Sequence, residues 1–276
     1  MTPADSPTVV AAGLSARVAG RALFGGLDVT MEPGRLVAVL GPNGAGKSTF
    51  LRMLLGLHPV GGGSLEVLGD RPGRRNHDIG YLPQRRSFDP SVRIRGVDLV
   101  RLGIDGHRWG TPVPLLRRLL APGRDDHERR RLDEVIDRVG AAGYAGRPIG
   151  EISGGEQQRL LIAQAMVRRP RLLLLDEPLD SLDLPNQQGV AALLQRICAD
   201  GVTVVIVAHD VNPLLGYLDQ VVYIVAGEAL AGSPEDVITT GTLSRLYGAP
   251  VEVVRTPGGR LVVVGQPEAA SFHAAH

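Results

Sequence analysis

Leu36-Val-Ala-Val-Leu-Gly-Pro-Asn-Gly-Ala-Gly-Lys-Ser-Thr49 decides the fold of this 276-residue chain. Five apolar residues, Leu36–Leu40, run into a glycine-rich turn. A helical pattern, Ser48–Leu57, follows and carries Leu51, Leu54 and Leu55. The stretch reads as strand, loop, helix. Within it, Gly41-Pro-Asn-Gly-Ala-Gly-Lys-Ser48 fits G-x-x-x-x-G-K-[ST]. The glycines let successive backbone N–H groups turn inward around a phosphate, and Lys47 reaches the β- and γ-phosphates. The Ser48 hydroxyl is placed to ligate Mg²⁺, and the helix N-terminus adds its positive dipole end. The pattern implies a bound nucleotide. It leaves kinases, GTPases, helicases and transport ATPases open.

Outward from this loop, β and α signals alternate. Ser64–Leu68 and Ile79–Leu82 read as strands, separated by a Gly/Arg/Pro-rich loop, 69–78. From Pro90 to Gly150 the character changes to charged helical stretches such as Asp125–Val139, with a Pro/Gly break at Gly110–Pro114. The rhythm then resumes: helix Gly155–Arg168, strand Leu172–Leu175, helix Pro185–Ala199, strand Val202–Val207, a short helix Pro213–Tyr217 and strand Val221–Val225. Such alternation predicts an α/β protein with a doubly wound, mainly parallel sheet. The tail from Pro234 offers two short helices and two strands, Val251–Val254 and Arg260–Val264. No internal repeat or low-complexity tract is present.

Composition narrows the function classes. A hydrophobic content of 43% with 21% charged residues suits a globular domain, and a net charge of +1 supplies no global pull toward nucleic acid or anionic lipid. No apolar run approaches the roughly 18–20 residues of a membrane span. Met1–Pro7 lacks a basic patch followed by an apolar stretch, so no secretory signal is expected. One cysteine, Cys198, allows neither an internal disulfide nor a cysteine-based metal site. Lys47 is the only lysine among 30 Lys and Arg residues, a bias that GC-rich coding produces. Lysine persists where a compact ammonium on a flexible stem does what a planar guanidinium cannot.

Two further stretches carry chemistry. Leu172-Leu-Leu-Leu-Asp-Glu177 is an apolar strand that delivers Asp176, suited to Mg²⁺, followed by Glu177, suited to polarise an attacking water as general base. Ile152-Ser-Gly-Gly-Glu-Gln-Gln-Arg159 places Ser153 as a helix N-cap and exposes N–H groups at Gly154–Gly155. An ordinary capped helix would read the same way. As an anion site it would be a second one in a chain that already has a phosphate loop, so it suits another molecule's nucleotide.

With these motifs in order, the chain resembles the ATP-binding cassette (ABC) family from about Leu14 to Val264. The ISGGE stretch is similar to the family's signature loop, Ile152 and Glu156 being mild departures. The resemblance implies a phosphate-loop ATPase core with a mainly parallel sheet, an N-terminal antiparallel β part and an inserted helical subdomain. It sets the boundaries at 8–89 for the β part and phosphate-loop core, 90–150 for the helical subdomain, 151–233 for the second half of the core and 234–276 for a tail, all in one ATPase domain. It implies ATP held by Gly41, Pro42, Asn43, Gly44, Ala45, Gly46, Lys47, Ser48 and Thr49. A second copy would face it with Ser153, Gly154, Gly155, Glu156 and the loop aspartate Asp183. Mg²⁺ would be held by Ser48, Gln84 and Asp176. Catalysis would fall to Glu177, to His209 as γ-phosphate partner, and to Gln84, which senses metal and water.

The same resemblance implies partners and place. Two copies would pair head to tail around ATP at the cytoplasmic face of a prokaryotic membrane. Separate permease subunits would dock on the helical insertion, and an extracytoplasmic solute-binding protein would belong to the system; no nucleic-acid partner is expected. Tyr81–Asp89, Arg101–Gly110, His209-Asp-Val-Asn-Pro-Leu-Leu215 and Thr242–Val251 are similar to the branch that imports manganese, zinc or iron. A chelated-iron or cobalamin-type importer, an exporter and a soluble non-transport ATPase are the alternatives. Val18 stands where the family places an adenine-stacking aromatic, which predicts modest ATP affinity and tolerance of GTP. His58, His77, His107, His127, His273 and His276 lack metal-pair spacing and read as unremarkable surface residues. The same holds for Arg117–Arg118 and Arg129–Arg131, set among acidic neighbours.

Overall fold

The structure is a computed structural model, and it describes residues 6–84, 88–105, 124–247, 250–256 and 261–264. The expected break at Gly110–Pro114, Arg117–Arg118, His107, Arg260, His273 and His276 lie outside the described residues.

Strands β1 (Val9–Val18) and β2 (Arg21–Met31) form an antiparallel pair, and β3 (Leu36–Leu40) leads through the glycine-rich turn into α1 (Lys47–Leu54). β4 (Gly62–Val67) returns to pair antiparallel with β1, and β5 (Ile79–Leu82) enters the core. Helices α2 (Gly96–Asp105) and α3 (Arg124–Arg138) belong to the insertion. Then come α4 (Gly154–Met166), β6 (Leu172–Asp176), α5 (Leu184–Ala199) and β7 (Thr203–Val207). β8 (Gln220–Val225), β9 (Gly227–Gly232), α6 (Pro234–Val237), α7 (Thr240–Tyr247), β10 (Glu252–Arg255) and β11 (Leu261–Val264) complete the described chain.

One nine-stranded sheet runs β4-β1-β2-β9-β8-β3-β7-β6-β5, and β10 and β11 form a separate antiparallel pair. Its core β5-β6-β7-β3-β8 is parallel throughout. β3, β6 and β7 are buried along their whole length, as strands covered on both faces must be. Their side chains alternate between two hydrophobic cores. Leu36, Ala38, Leu40, Leu173 and Leu175 face the side of α2–α5, whereas Val37, Val39, Leu172 and Leu174 face the side of α1. The second core reaches into the antiparallel part through Phe24 on β2 and Phe50 on α1, whose rings meet edge-on with centroids 6.4 Å apart. The helix that carries Lys47 is thereby wedged between the two parts of the sheet.

Two local expectations are corrected. Pro213–Tyr217 is a chain of turns closed by Leu214 N–H, Leu215 N–H and Tyr217 N–H, not a helix. A single turn between two strands is too short to propagate. β9 was not foreseen: its sequence, Gly-Glu-Ala-Leu-Ala-Gly232, is half-exposed and bounded by glycines. It nevertheless connects the antiparallel part to the core, pairing parallel with β2 and antiparallel with β8.

Candidate nucleotide site

The site lies at the C-terminal ends of the parallel strands, where open α/β sheets bind ligands. β3 ends at Leu40, and the next backbone turn passes close to β8. A Cβ at Gly41 would lie 1.9 Å from the carbonyl oxygen of Ile224, and Gly41 has φ 142°. Only glycine fits there. The loop then coils to Gly46 and opens α1 at Lys47, whose side chain folds back into it: Nζ donates to the carbonyls of Gly41 (2.7 Å) and Pro42 (3.1 Å). Burial lowers the Lys47 pKa, opposed by the nearby carboxylates of Glu177, Asp176 and Asp180.

β6 supplies the facing wall. Asp176 is buried at its end and accepts from Ser48 Oγ at 3.1 Å, joining residues 128 positions apart. Burial raises the Asp176 carboxyl, against the Ser48 hydrogen bond and the charges of Arg52 and Lys47. A hydroxyl and a poorly solvated carboxylate side by side form an oxygen donor pair that fits a hard divalent cation such as Mg²⁺. Glu177 follows with φ 53°, a left-handed conformation that costs a non-glycine residue roughly 1 kcal/mol or more. Its backbone N–H is held by the Val207 carbonyl at 3.1 Å. One carboxylate oxygen accepts from Gln84 Nε2, at the end of the β5 segment, and the other lies 2.5 Å from His209 Nε2, just beyond β7. Burial raises the Glu177 pKa; His209 lowers it and Asp180 raises it further.

These walls enclose a cavity of about 570 Å³, within the range of small-molecule sites. Asn43, Gly44, Gly46, Lys47, Ser48, Thr49, Gln84, Glu177 and His209 line it, as does Val18, with Leu23 beside it. Val18 is 43% exposed, so the antiparallel part contributes an open aliphatic wall. Asp180 also lines the cavity. It was missed as a site residue because the sequence reading placed the loop's function on Asp183. Glu177, Asp180 and His209 each place a ligand-capable atom within 4.8 Å of the others.

Ser153, Gly154, Gly155, Glu156 and Asp183 lie apart from this cavity. Ser153 caps α4: its Oγ accepts from Glu156 N–H at 3.3 Å, and Glu156 Oε2 accepts from Ser153 N–H at 2.8 Å. That reciprocal box accounts for the acidic residue at 156. Asp183 caps α5 in turn, its Oδ1 accepting from Asn186 N–H (3.0 Å) and Asn186 Nδ2 (2.7 Å). The two caps touch, since a Cβ on Gly155 would lie 2.2 Å from Asn186 Oδ1. Gly155 is therefore small for packing, and it is buried: of the two glycines expected to expose their N–H groups, only Gly154 is exposed.

A phosphate loop, an acidic strand end and a glycine-rich capped helix on this sheet define a nucleotide-hydrolysing fold, and comparison with known proteins narrows it. The sequence model described as "ABC transporter" matches residues 24–180. The chain is 32% identical to the zinc transport system ATP-binding protein TroB of Treponema pallidum, covering 84% of each chain. It is 36% identical to the hemin import ATP-binding protein HmuV of Streptomyces coelicolor, covering 95% of this chain and 92% of the relative. Among solved structures, an inward-facing ABC transporter described as metal-chelate type superposes with a TM-score of 0.76 at 26% identity, covering 95% of this chain and 99% of that one. The chain belongs to the ABC transporter family, and it is an ATPase. No helix among the described residues is long and apolar enough to cross a membrane.

Proposed function

We propose that this ATPase powers a metal importer. In this reading two copies pair head to tail, and each ATP lies between Lys47 and Ser48 of one copy and Ser153–Gly155 of the other. The observation that carries the reading is the position of the Ser153 cap, an N–H-rich helix start outside the cavity that its own phosphate loop lines. An anion site there suits a nucleotide held by another copy. Ser48, Asp176 and the amide oxygen of Gln84 would hold Mg²⁺, which supplies charge neutralisation at the phosphates.

The protein's own residues then have separate duties. The phosphate loop N–H groups and Lys47 hold the β- and γ-phosphates. Glu177 accepts the proton of the attacking water, and His209 orients Glu177 and the γ-phosphate. Asp183 faces the dimer interface. The 90–150 insertion receives separate permease subunits at the cytoplasmic face of the membrane, and a solute-binding protein outside delivers cargo.

For the cargo, the resemblance of His209–Leu215 and Thr242–Val251 and the zinc-transport relative support a divalent ion, manganese, zinc or iron. The hemin relative, matched over 95% of this chain, favours an iron chelate as the second reading. Cellular metal content in a strain lacking this chain tests both. Loss of zinc or manganese supports the first reading, failure to grow only on hemin as iron source supports the second, and unchanged uptake of all of them removes both.

A further inference from the structure

The tail returns to the loop that carries His209, and one side chain receives it. Asn212 binds the backbone of Val263 on β11 twice: Val263 N–H donates to Asn212 Oδ1 at 2.9 Å, and Asn212 Nδ2 donates to Val263 O at 3.3 Å. The amide thus stands in for one residue of a neighbouring strand. Val253 and Val263 face each other across the antiparallel pair β10–β11, and Val253 N–H likewise turns outward, to Thr240 Oγ1 at 2.9 Å. In such a pair alternate residues direct both backbone groups away from the partner strand. Asn212 and Thr240 therefore satisfy backbone groups on the two outer edges of the pair. Ser244 Oγ, bonded to the N–H (3.0 Å) and the carbonyl (3.1 Å) of Val251, holds the start of β10 to α7.

The hydrolysis chemistry does not use this contact, yet it lies three residues from His209. Before His209, Ala208 N–H donates to Val39 O at 3.3 Å and fixes the near end of the loop. After it, Asp210 Oδ1 accepts from Asn212 N–H at 2.9 Å and closes a tight turn. Val211 is buried in the same core cluster as Val263, and its carbonyl accepts from Leu214 N–H and Leu215 N–H. The far end of the loop is therefore tied to β11 through the Asn212 amide and through a shared core. His209 stands between the two anchors, its side chain 35% exposed. A ring so little enclosed takes its aim from the backbone that carries it.

We propose that Asn212 is a positioning residue for His209, and that the β10–β11 pair contributes to ATP hydrolysis through it. With Val263 in place, the turn from Asp210 to Asn212 is held at its far end and the imidazole stays against Glu177. Without that grip the turn keeps only its near anchor and the ring loses its aim, so hydrolysis slows while the phosphate loop still binds ATP. Both bonds go to backbone atoms, so the contact asks for an extended strand at Val263 and not for a particular side chain there. The inference rests on the duties assigned above to Glu177 and His209.

The test compares kcat, KM for Mg-ATP and melting temperature of the full chain, together with the ring-nitrogen NMR signals of His209, assigned by their loss in His209→Gln. Asn212→Leu removes both bonds at similar volume; it should shift the His209 signals and lower kcat by roughly threefold to tenfold, with KM little changed. Asn212→Asp keeps the acceptor for Val263 N–H and loses the donor, so an intermediate loss is expected, and this variant carries the test if Asn212→Leu does not fold. Ser233→Ala, which removes the cap of α6, should lower the melting temperature and leave kcat and the His209 signals as in the parent. Unshifted His209 signals in a folded Asn212 variant overturn the inference, whatever the rate does. Shifted signals with an unchanged rate overturn it too, and if His209→Gln also turns over at the parent rate, the duty assigned to His209 falls with it.

Discussion

Glu177 Oε1 lies 2.5 Å from His209 Nε2, and the two residues stand just beyond the ends of adjacent parallel strands, β6 and β7. Burial raises the pKa of that carboxylate, and in the proposed mechanism it is the group that takes the proton of the attacking water. Replacing it by Glu177→Gln keeps the shape and the acceptor for Gln84 while removing the base. Hydrolysis should fall about 100-fold or more, with ATP binding retained. Equal turnover in a phosphate-release assay would remove Glu177 from that role.

The direction of the Glu177 shift also fixes a pH dependence. A base works only when deprotonated, and burial has raised its pKa, so activity should be lost on acidification at a higher pH than an exposed glutamate near about 4.3 would give. The acid limb of a kcat–pH profile checks this, and an apparent pKa at or below the ordinary glutamate value contradicts it.

Lys47→Arg conserves charge and matches the arginine usage of the rest of the chain, yet it should nearly abolish hydrolysis. The Lys47 side chain is 5% exposed, and its ammonium fits between the carbonyls of Gly41 and Pro42. A planar guanidinium is too wide for that cradle. Loss of about two charge-assisted hydrogen bonds predicts at least a roughly tenfold to hundredfold weaker kcat/KM. Single-turnover kinetics at saturating ATP would separate the chemical defect from the binding one.

Asp176→Asn should stabilise the nucleotide-free protein while disabling it. Burial raises the folded-state pKa of Asp176 above its unfolded value. The protonated form is therefore favoured by folding, and the associated stability is lost as pH rises through the folded pKa. Asparagine keeps an acceptor for Ser48 without the buried charge. The melting temperature should rise at neutral pH, by about 2–4 °C per kcal/mol relieved, and the gain should fade on acidification, vanishing below the ordinary aspartate pKa of about 3.9. A destabilised Asp176→Asn at neutral pH would contradict the argument.

Val18→Tyr should tighten ATP. The position lines the cavity and is 43% exposed, so an aromatic ring can be added without displacing the core. Stacking on a base is worth about 1–3 kcal/mol, which corresponds to a Kd lower by roughly fivefold to 150-fold. Unchanged affinity in a nucleotide titration would mean that the base lies elsewhere.

What the sequence made legible was local. The phosphate loop, the apolar strand ending in Asp176–Glu177 and the Ser153 cap are each a few consecutive residues whose chemistry and backbone needs coincide. The contacts that complete the site are not local: Gln84 meets Glu177 across 93 positions, and Ser48 meets Asp176 across 128. Asp180 stands three residues after Glu177, and only the turn between them brings it to the cavity. β9 escaped notice for a different reason: its glycines and half-exposed residues carry little strand propensity of their own, and neighbours on both sides define it.

β9 meets β2 through only two residue pairs, Phe24 with Gly227 and Gly25 with Glu228. The cavity is lined from both parts, by Val18 and Leu23 of the antiparallel part and by the phosphate loop, Glu177 and His209 of the parallel core. Any ligand long enough to touch both parts acts as a crosslink, reinforcing the seam from outside the hydrophobic core. A nucleotide bound as proposed, reaching from Val18 to the phosphate loop, would be such a crosslink, adding to the Phe24–Phe50 contact and the Thr8–Thr203 hydrogen bond that already join the two parts.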